Sequence, residues 1–380
     1  MSEYQYYEFQ AIDKPLDAEQ MAELRSYSTR ARITPASFIN EYNWGNFKGN
    51  ADRWMEKYFD AFLYLANWGT HVLKLRLAAG LLDPKIAKQY CTSDSAFVRV
   101  KDGQVVLTFA SDDEGSDEWA EGEGELSSMI SVRAELARGD LRALYLGWLL
   151  GAQSGELDDD DIEPVVPPGL AQLTASLESL ADFLRIDSDL RCIAAQSSRS
   201  FPDRQLQREE FAARVASLPA SVKDDLITNF LVDGDRSAFD NLVQKFLKER
   251  SVDLNETEPN RRTVGELLRG AQDLAEERER TEAQRRAREE ARRERATARA
   301  REKYLDSLAG SEPRLWAAVQ TLIATTRPKS YDEALKVLAD LRDLESRTKS
   351  GEFATRVQML RRANASKPAF IKRLGEAGFS

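Results

Sequence analysis

Between Ala275 and Tyr304 the chain has no Leu, Ile, Val, Met or aromatic residue. Glu, Arg and Ala fill the stretch, so it has no apolar stripe to bury and must be supported locally or from its ends. Glu276–Arg280, Glu282–Arg286 and Glu289–Arg293 stand at i,i+4 with the acid first. That order supports an isolated helix by a few tenths of a kcal/mol per pair. Apolar anchors lie before it (Val264, Leu267, Leu268, Leu274) and after it (Tyr304, Leu305, Leu308). One helix over 263–308 is therefore expected, about 67 Å long at 1.5 Å per residue. A coiled-coil seam needs apolar a and d positions, and only alanines are there to supply them, so a self-supporting charged helix is the favoured reading.

The sequence before this stretch mixes strand and helix signals. Tyr4 to Ile12 reads as a strand, and a helix follows from Asp17, with Gln20 completing a capping box. Ile33 to Trp44 reads as a second strand. Trp54, Tyr58 and Phe62 recur every four residues, predicting a helix over 52–66 that Gly69 would cap. Leu73, Leu75 and Leu77 alternate with Lys74 and Arg76 as a half-buried strand, and Lys101-Asp102-Gly103 joins two strands in a hairpin. An α+β fold in a ferredoxin-like arrangement is expected here, followed by a mostly helical region. Residues 111–125 read as a solvated acidic loop, then helices over 126–138 and 140–153. The domains predicted are an acidic α+β domain 1–156, an acidic and proline-bearing linker 157–169, a helical domain 170–252, the long charged helix 263–308 and a helical-hairpin tail 312–380. In the helical domain a stripe is expected at Phe239, Leu242, Val243 and Phe246, then a polar linker over 255–262. In the tail, Ser330 and Glu333 read as a capping box.

Charge is unevenly spread. Residues 1–165 carry 16 basic against 29 acidic side chains; from Arg262 onward the balance is 26 against 19. An acidic front half repels nucleic acid and anionic lipid, whereas a basic tail attracts them. No stretch reaches the roughly 18 apolar residues of a membrane helix, and the first residues have no signal-peptide pattern, so a cytoplasmic protein without a membrane partner is expected. Only Cys91 and Cys192 occur, which is no disulfide framework.

Chemistry-bearing residues are few. His71 is the only histidine and no motif ties it to a nucleophile, so it reads as a strand-edge polar residue. One His and two separated Cys do not make a structural zinc site. Neither a Walker-type phosphate loop nor a dinucleotide-binding glycine motif occurs. No catalytic residue, cofactor or metal ligand is assigned. The acidic runs 112–125 and 158–161 read as solvated faces, with a hard cation as the alternative. The aromatic group Tyr42, Trp44, Phe47, Trp54, Tyr58, Phe59, Phe62 and Trp68 reads as core before it reads as a stacking platform. Asn43-Trp44-Gly45 and Asn67-Trp68-Gly69 repeat a tripeptide, which turn chemistry explains before a shared ligand site does. Arg278 to Lys303 is arginine-rich, a solvated spacer or a track for a phosphate backbone.

The strings YYEFQAIDKPL, EYNWGNFKGN, MEKYFDAFLYLANWGTH and ARGDLRALYLGWLLGAQSGELDDD resemble a family of bacterial proteins of unknown function, over most of the chain. The tail, RPKSYDEALKVLADLRDL to KPAFIKRL, resembles the C-terminal helical segment of some bacterial SWIM zinc-finger proteins. Those carry a Cys/His zinc module that this chain lacks, so the resemblance implies a shared partner surface or association with such a protein, and no zinc chemistry.

The leading expectation is a non-enzymatic interaction protein that binds a protein partner through the tail and the long helix. The second is a nucleic-acid-associated accessory protein. For both, the candidate contacts are Arg285, Arg286, Arg292, Arg293, Arg361 and Arg362. The third is a metal-dependent hydrolase using Asp112, Asp113 and Asp158.

Overall fold

The structure is a computed structural model that describes residues 4–113, 122–201, 204–233, 242, 261–348 and 351–379. It divides into two units, Met1–Glu277 and Arg278–Ser380.

The first unit is built on tyrosine- and leucine-rich strands that alternate between two cores. Strands β1 (Gln5–Gln10), β2 (Arg32–Thr34), β3 (Ser37–Tyr42), β4 (Ala61–Ala66), β5 (Thr70–Ala78), β6 (Ala96–Lys101) and β7 (Gln104–Asp112) form one sheet in the order β2-β3-β1-β4-β5-β7-β6. All its pairings are antiparallel. With helices α1 (Ala18–Tyr27) and α2 (Ala51–Lys57), the first four strands follow the β-α-β-β-α-β order of a ferredoxin-like sheet. The β4–β5 turn and the β6–β7 hairpin extend that sheet by three strands. On one face Phe9, Phe38 and Phe62 pack against Leu24 of α1 and Trp54 and Met55 of α2. The other face presents Tyr6, Leu63, Leu65, Leu73, Leu75, Leu107 and Phe109 to a second core.

Local chemistry accounts for the element ends. Asp17 and Gln20 form the full capping box that opens α1. Asp102 and Gly103 both have positive φ in the β6–β7 turn, as a two-residue hairpin of this kind requires. Asp83 caps α3 (Pro84–Tyr90), with Pro at the first helical position, a start signal present in the sequence but not read there.

The helix expected over 52–66 is two elements. Helix α2 stops at Lys57 and Ala61–Ala66 is the central strand β4. Ala61, Leu63 and Leu65 enter one core and Phe62 enters the other, so both faces are apolar and the strand's alternation is hidden. Gly69, at φ +99°, therefore turns β4 into β5 rather than capping a helix, and a Cβ there would meet the Asp113 backbone oxygen at 2.0 Å. The strand expected over 33–44 is the β2–β3 hairpin, and the helix over 126–138 breaks at Ile130 into α4 (Glu125–Met129) and α5 (Ser131–Ala137).

The second core continues past the proline-bearing stretch. Helices α6 (Arg142–Gln153), α7 (Ala175–Phe183) and α8 (Ser188–Gln196) share it with the sheet, as do Leu170, Val264 and Leu267. Residues 158–162 of the expected linker are exposed, but the chain from Glu163 packs into this core: Tyr90 Oη donates to Val165 O at 2.7 Å, and Glu163 is 1% exposed. Helices α9 (Arg204–Ser217) and α10 (Ala220–Asp233) follow. The stripe expected at Phe239, Val243 and Phe246, the linker over 255–260 and residues 114–121 of the acidic loop lie outside the described residues.

Helix α11 runs from Val264 to Leu308 as one element. Thr263 and Glu266 close a capping box at its start, the two bonds measuring 2.9 and 3.2 Å. Glu282–Arg286, one of the expected i,i+4 pairs, closes at 3.3 Å. Such a pair adds about 0.3 kcal/mol, whereas each buried anchor such as Leu267 or Leu305 adds about 2 kcal/mol, so the ends dominate.

In the second unit, α12 (Glu312–Ala324), α13 (Pro328–Thr348), α14 (Glu352–Ala363) and α15 (Pro368–Glu376) enclose Val319, Ile323, Leu338, Leu341, Val357, Leu360, Phe370 and Leu374. Helix α13 opens at Pro328, so Ser330 lies in its first turn and is not the cap read from the sequence.

Asp60, 1% exposed, accepts from Ile12 N at 2.6 Å, Asp13 N at 2.9 Å and Arg76 Nη2 at 2.7 Å. Removing one member of a buried pair strands the other, so Asp60→Ala should lower stability by about 3–5 kcal/mol in urea denaturation. A loss below about 1 kcal/mol would show that the pair is dispensable.

Candidate functional site

The polar side chains that carry chemistry elsewhere are committed to structure here. His71 Nδ1 lies 2.7 Å from Phe183 O, and Nε2 lies 3.0 Å from Arg185 Nη2. A carbonyl only accepts and a guanidinium only donates, so Nδ1 carries the proton and Nε2 presents its lone pair to Arg185. The ring also stacks on Phe183. Burial pushes the Cys91 thiol up to about 12, which leaves it protonated and unreactive at neutral pH. Asp112, Asp113 and Asp158 are exposed. Among the described residues no three His, Cys, Asp or Glu side chains are grouped to hold a metal ion.

Trp54, Tyr58, Phe59 and Phe62 are core, while Trp44 and Trp68 are 66% and 41% exposed. The two repeated tripeptides are turns at the same end of the sheet, on either side of β1. Asn67 Oδ1 accepts from Tyr4 N at 2.9 Å, and Gly45 O accepts from Gln5 Nε2 at 3.1 Å.

The second unit holds a different kind of surface. Residues 278–380 carry 24 basic against 15 acidic side chains, a net of +9, and residues 1–277 carry 30 against 49, a net of −19. The bundle's carboxylates are largely engaged: Asp343 and Asp340 with Arg301, Asp306 with Arg347, Glu352 with Arg356, Asp332 with Arg373. The Asp343 and Asp340 hydrogen bonds hold the Arg301 guanidinium above its ordinary range.

Helical geometry sorts the arginines of α11. At about 100° per residue, Arg278, Arg285, Arg288, Arg292, Arg295, Arg299 and Lys303 fall within an arc of about 100°. Thr281 and Ala296 complete that arc, and the glutamates at 279, 282, 289, 290, 294 and 302 lie outside it. Arg301, Tyr304 and Leu305, which hold α11 to the bundle, point to the far side: Arg301 reaches Asp343 at 2.6 Å and Tyr304 Oη reaches Asp340 at 3.0 Å. The seven basic residues of the arc are exposed. Among the described residues, no ion pair engages Arg285, Arg288, Arg292, Arg295, Arg299 or Lys303.

The six candidate contacts therefore divide. Arg285 and Arg292 lie on the basic face. Arg286 and Arg293 lie on the mixed face beside glutamates, Arg286 paired with Glu282. Arg361 and Arg362 are exposed in the last turn of α14. Missing from those six are Arg278, Arg288, Arg295, Arg299 and Lys303, and the signal for them was the seven-residue spacing 278, 285, 292, 299 with 288 and 295 between.

Comparison of the chain with protein-family models, with curated proteins and with solved structures finds no match.

Cys192 is exposed and Cys91 buried. A disulfide reagent at neutral pH should titrate one thiol rapidly in the folded protein and both after unfolding. Rapid reaction of both in the folded state would contradict the burial of Cys91.

Proposed function

We propose that this is a non-catalytic binding protein whose partner is anionic and engages the unit Arg278–Ser380. The observation that carries the reading is the basic face of α11 between Arg278 and Lys303: exposed basic groups gathered within one arc, with the glutamates of that stretch turned to other faces. Holding like charges side by side costs free energy in the free protein, and an anionic partner removes that cost.

The same face argues for charge recognition over a protein seam. An interface core between proteins is built from apolar and aromatic anchors, and α11 offers none between Ala275 and Tyr304. A hydrolase reading has no grouped carboxylates to rest on among the described residues.

Although its net charge is −10, the full chain should be retained on immobilised heparin, a sulfated polyanion, at about 50 mM salt and should elute as salt rises. The triple variant Arg285→Glu, Arg292→Glu, Arg299→Glu should pass through. Passage of the unmodified chain, or undiminished retention of the variant, would remove the basis of the proposal.

A further inference from the structure

The basic face of α11 is specific enough in shape to name a class of polyanion. From Arg278 to Lys303 the face spans 25 residue steps, about 37 Å at 1.5 Å per residue, close to the roughly 34–36 Å of one turn of B-form duplex. An α-helix also fits the roughly 12 Å width of the major groove. Six of the seven basic groups are arginines, whose planar fork engages phosphate oxygens in pairs.

What the face lacks is equally informative. It has no aromatic side chain, so unstacked bases find no platform to lie on. The nearest ring, Tyr304, has its hydroxyl bonded to Asp340. It has no Asn or Gln, and Arg reads guanine only when aimed at base edges, so nothing on it selects a sequence by side-chain amide contacts. It has no apolar residue beyond Ala296, which leaves a lipid bilayer or an apolar protein groove without a hydrophobic contact.

Resting on the proposed anionic partner, we infer that Arg285, Arg288, Arg292, Arg295, Arg299 and Lys303, continued by Arg278, form a phosphate-backbone rail that binds double-stranded nucleic acid without regard to sequence. The mixed face, with Arg286 and Arg293 among glutamates, takes no part.

Fluorescence anisotropy on the full chain tests this, using two 30-base-pair DNA duplexes of unrelated sequence, a single strand of the same length, and polyglutamate. Both duplexes should bind with equal affinity and more tightly than the single strand. The slope of log K against log salt should be about −5, from six phosphate contacts at about 0.9 each. Arg285→Ala, Arg292→Ala and Arg299→Ala together should flatten that slope by about 2.7, while Arg286→Ala with Arg293→Ala should change it by less than about 1. Alanine is a strong helix former and these sites are exposed, so circular dichroism should be unchanged. Tighter single-strand binding, preference for one duplex, or an unchanged slope in the triple variant would overturn the inference. If polyglutamate binds and the duplexes do not, the rail is refuted and the anionic-partner reading stands; if neither binds and heparin is not retained, both fall.

Discussion

A single carboxylate, Glu163, holds together the parts of the first unit that composition would have separated. Its side chain accepts from Arg262 Nε at 2.9 Å and Nη2 at 2.8 Å and from the Tyr145 hydroxyl, and its backbone N donates to Arg262 O. Burial, then the charge of Glu163, raises the Tyr145 phenol well above its ordinary range, so it remains a donor. Arg262 also donates to Ile193 O and Ala194 O at the end of α8. Burying a charge costs several kcal/mol unless its partners are complete, and here each carboxylate oxygen is engaged. The pair thereby fixes the chain two residues before α11, a helix that cannot fix itself by packing along most of its length.

That dependence on the ends frees the middle of α11. A helix anchored by Val264 and Leu267 at one end and by Leu305 and the Arg301 fork at the other does not need an apolar stripe between. Its surface can then be given over to charge, with one face whose charged side chains between Arg278 and Lys303 are all basic and another self-compensated. The two units also differ in charge balance, −19 against +9.

What the sequence revealed, and what it hid, follows from where each signal is stored. Local signals were legible: the Asp17–Gln20 box, the Asp102-Gly103 turn, the leucine alternation of β5 and the extent of α11. Ala61–Ala66 was not, because a strand buried on both faces is apolar at every position and the Trp54–Tyr58–Phe62 spacing fits a helix equally well. Segment 157–169 looked like a solvent linker because aspartates and prolines dominate it. Its aspartates are indeed exposed, and what draws its second half inside is the long-range bonding of Glu163 and Val165, which no local window contains. At the candidate site the arginines were visible as a cluster, but counting a cluster hides its faces. Arg285 and Arg286 are neighbours in sequence and lie about 100° apart on the helix.

One consequence follows from the spacing itself. Seven residues advance an ideal helix by about 20° less than two full turns, so a column repeating every seven residues does not run parallel to the axis. Arg278, Arg285, Arg292 and Arg299 accumulate a drift of about 60° over three repeats. The column is therefore a gentle left-handed helix drawn on a right-handed one. A rigid straight surface laid along it would leave one end behind, whereas a surface that itself curves around the rod keeps every guanidinium in reach.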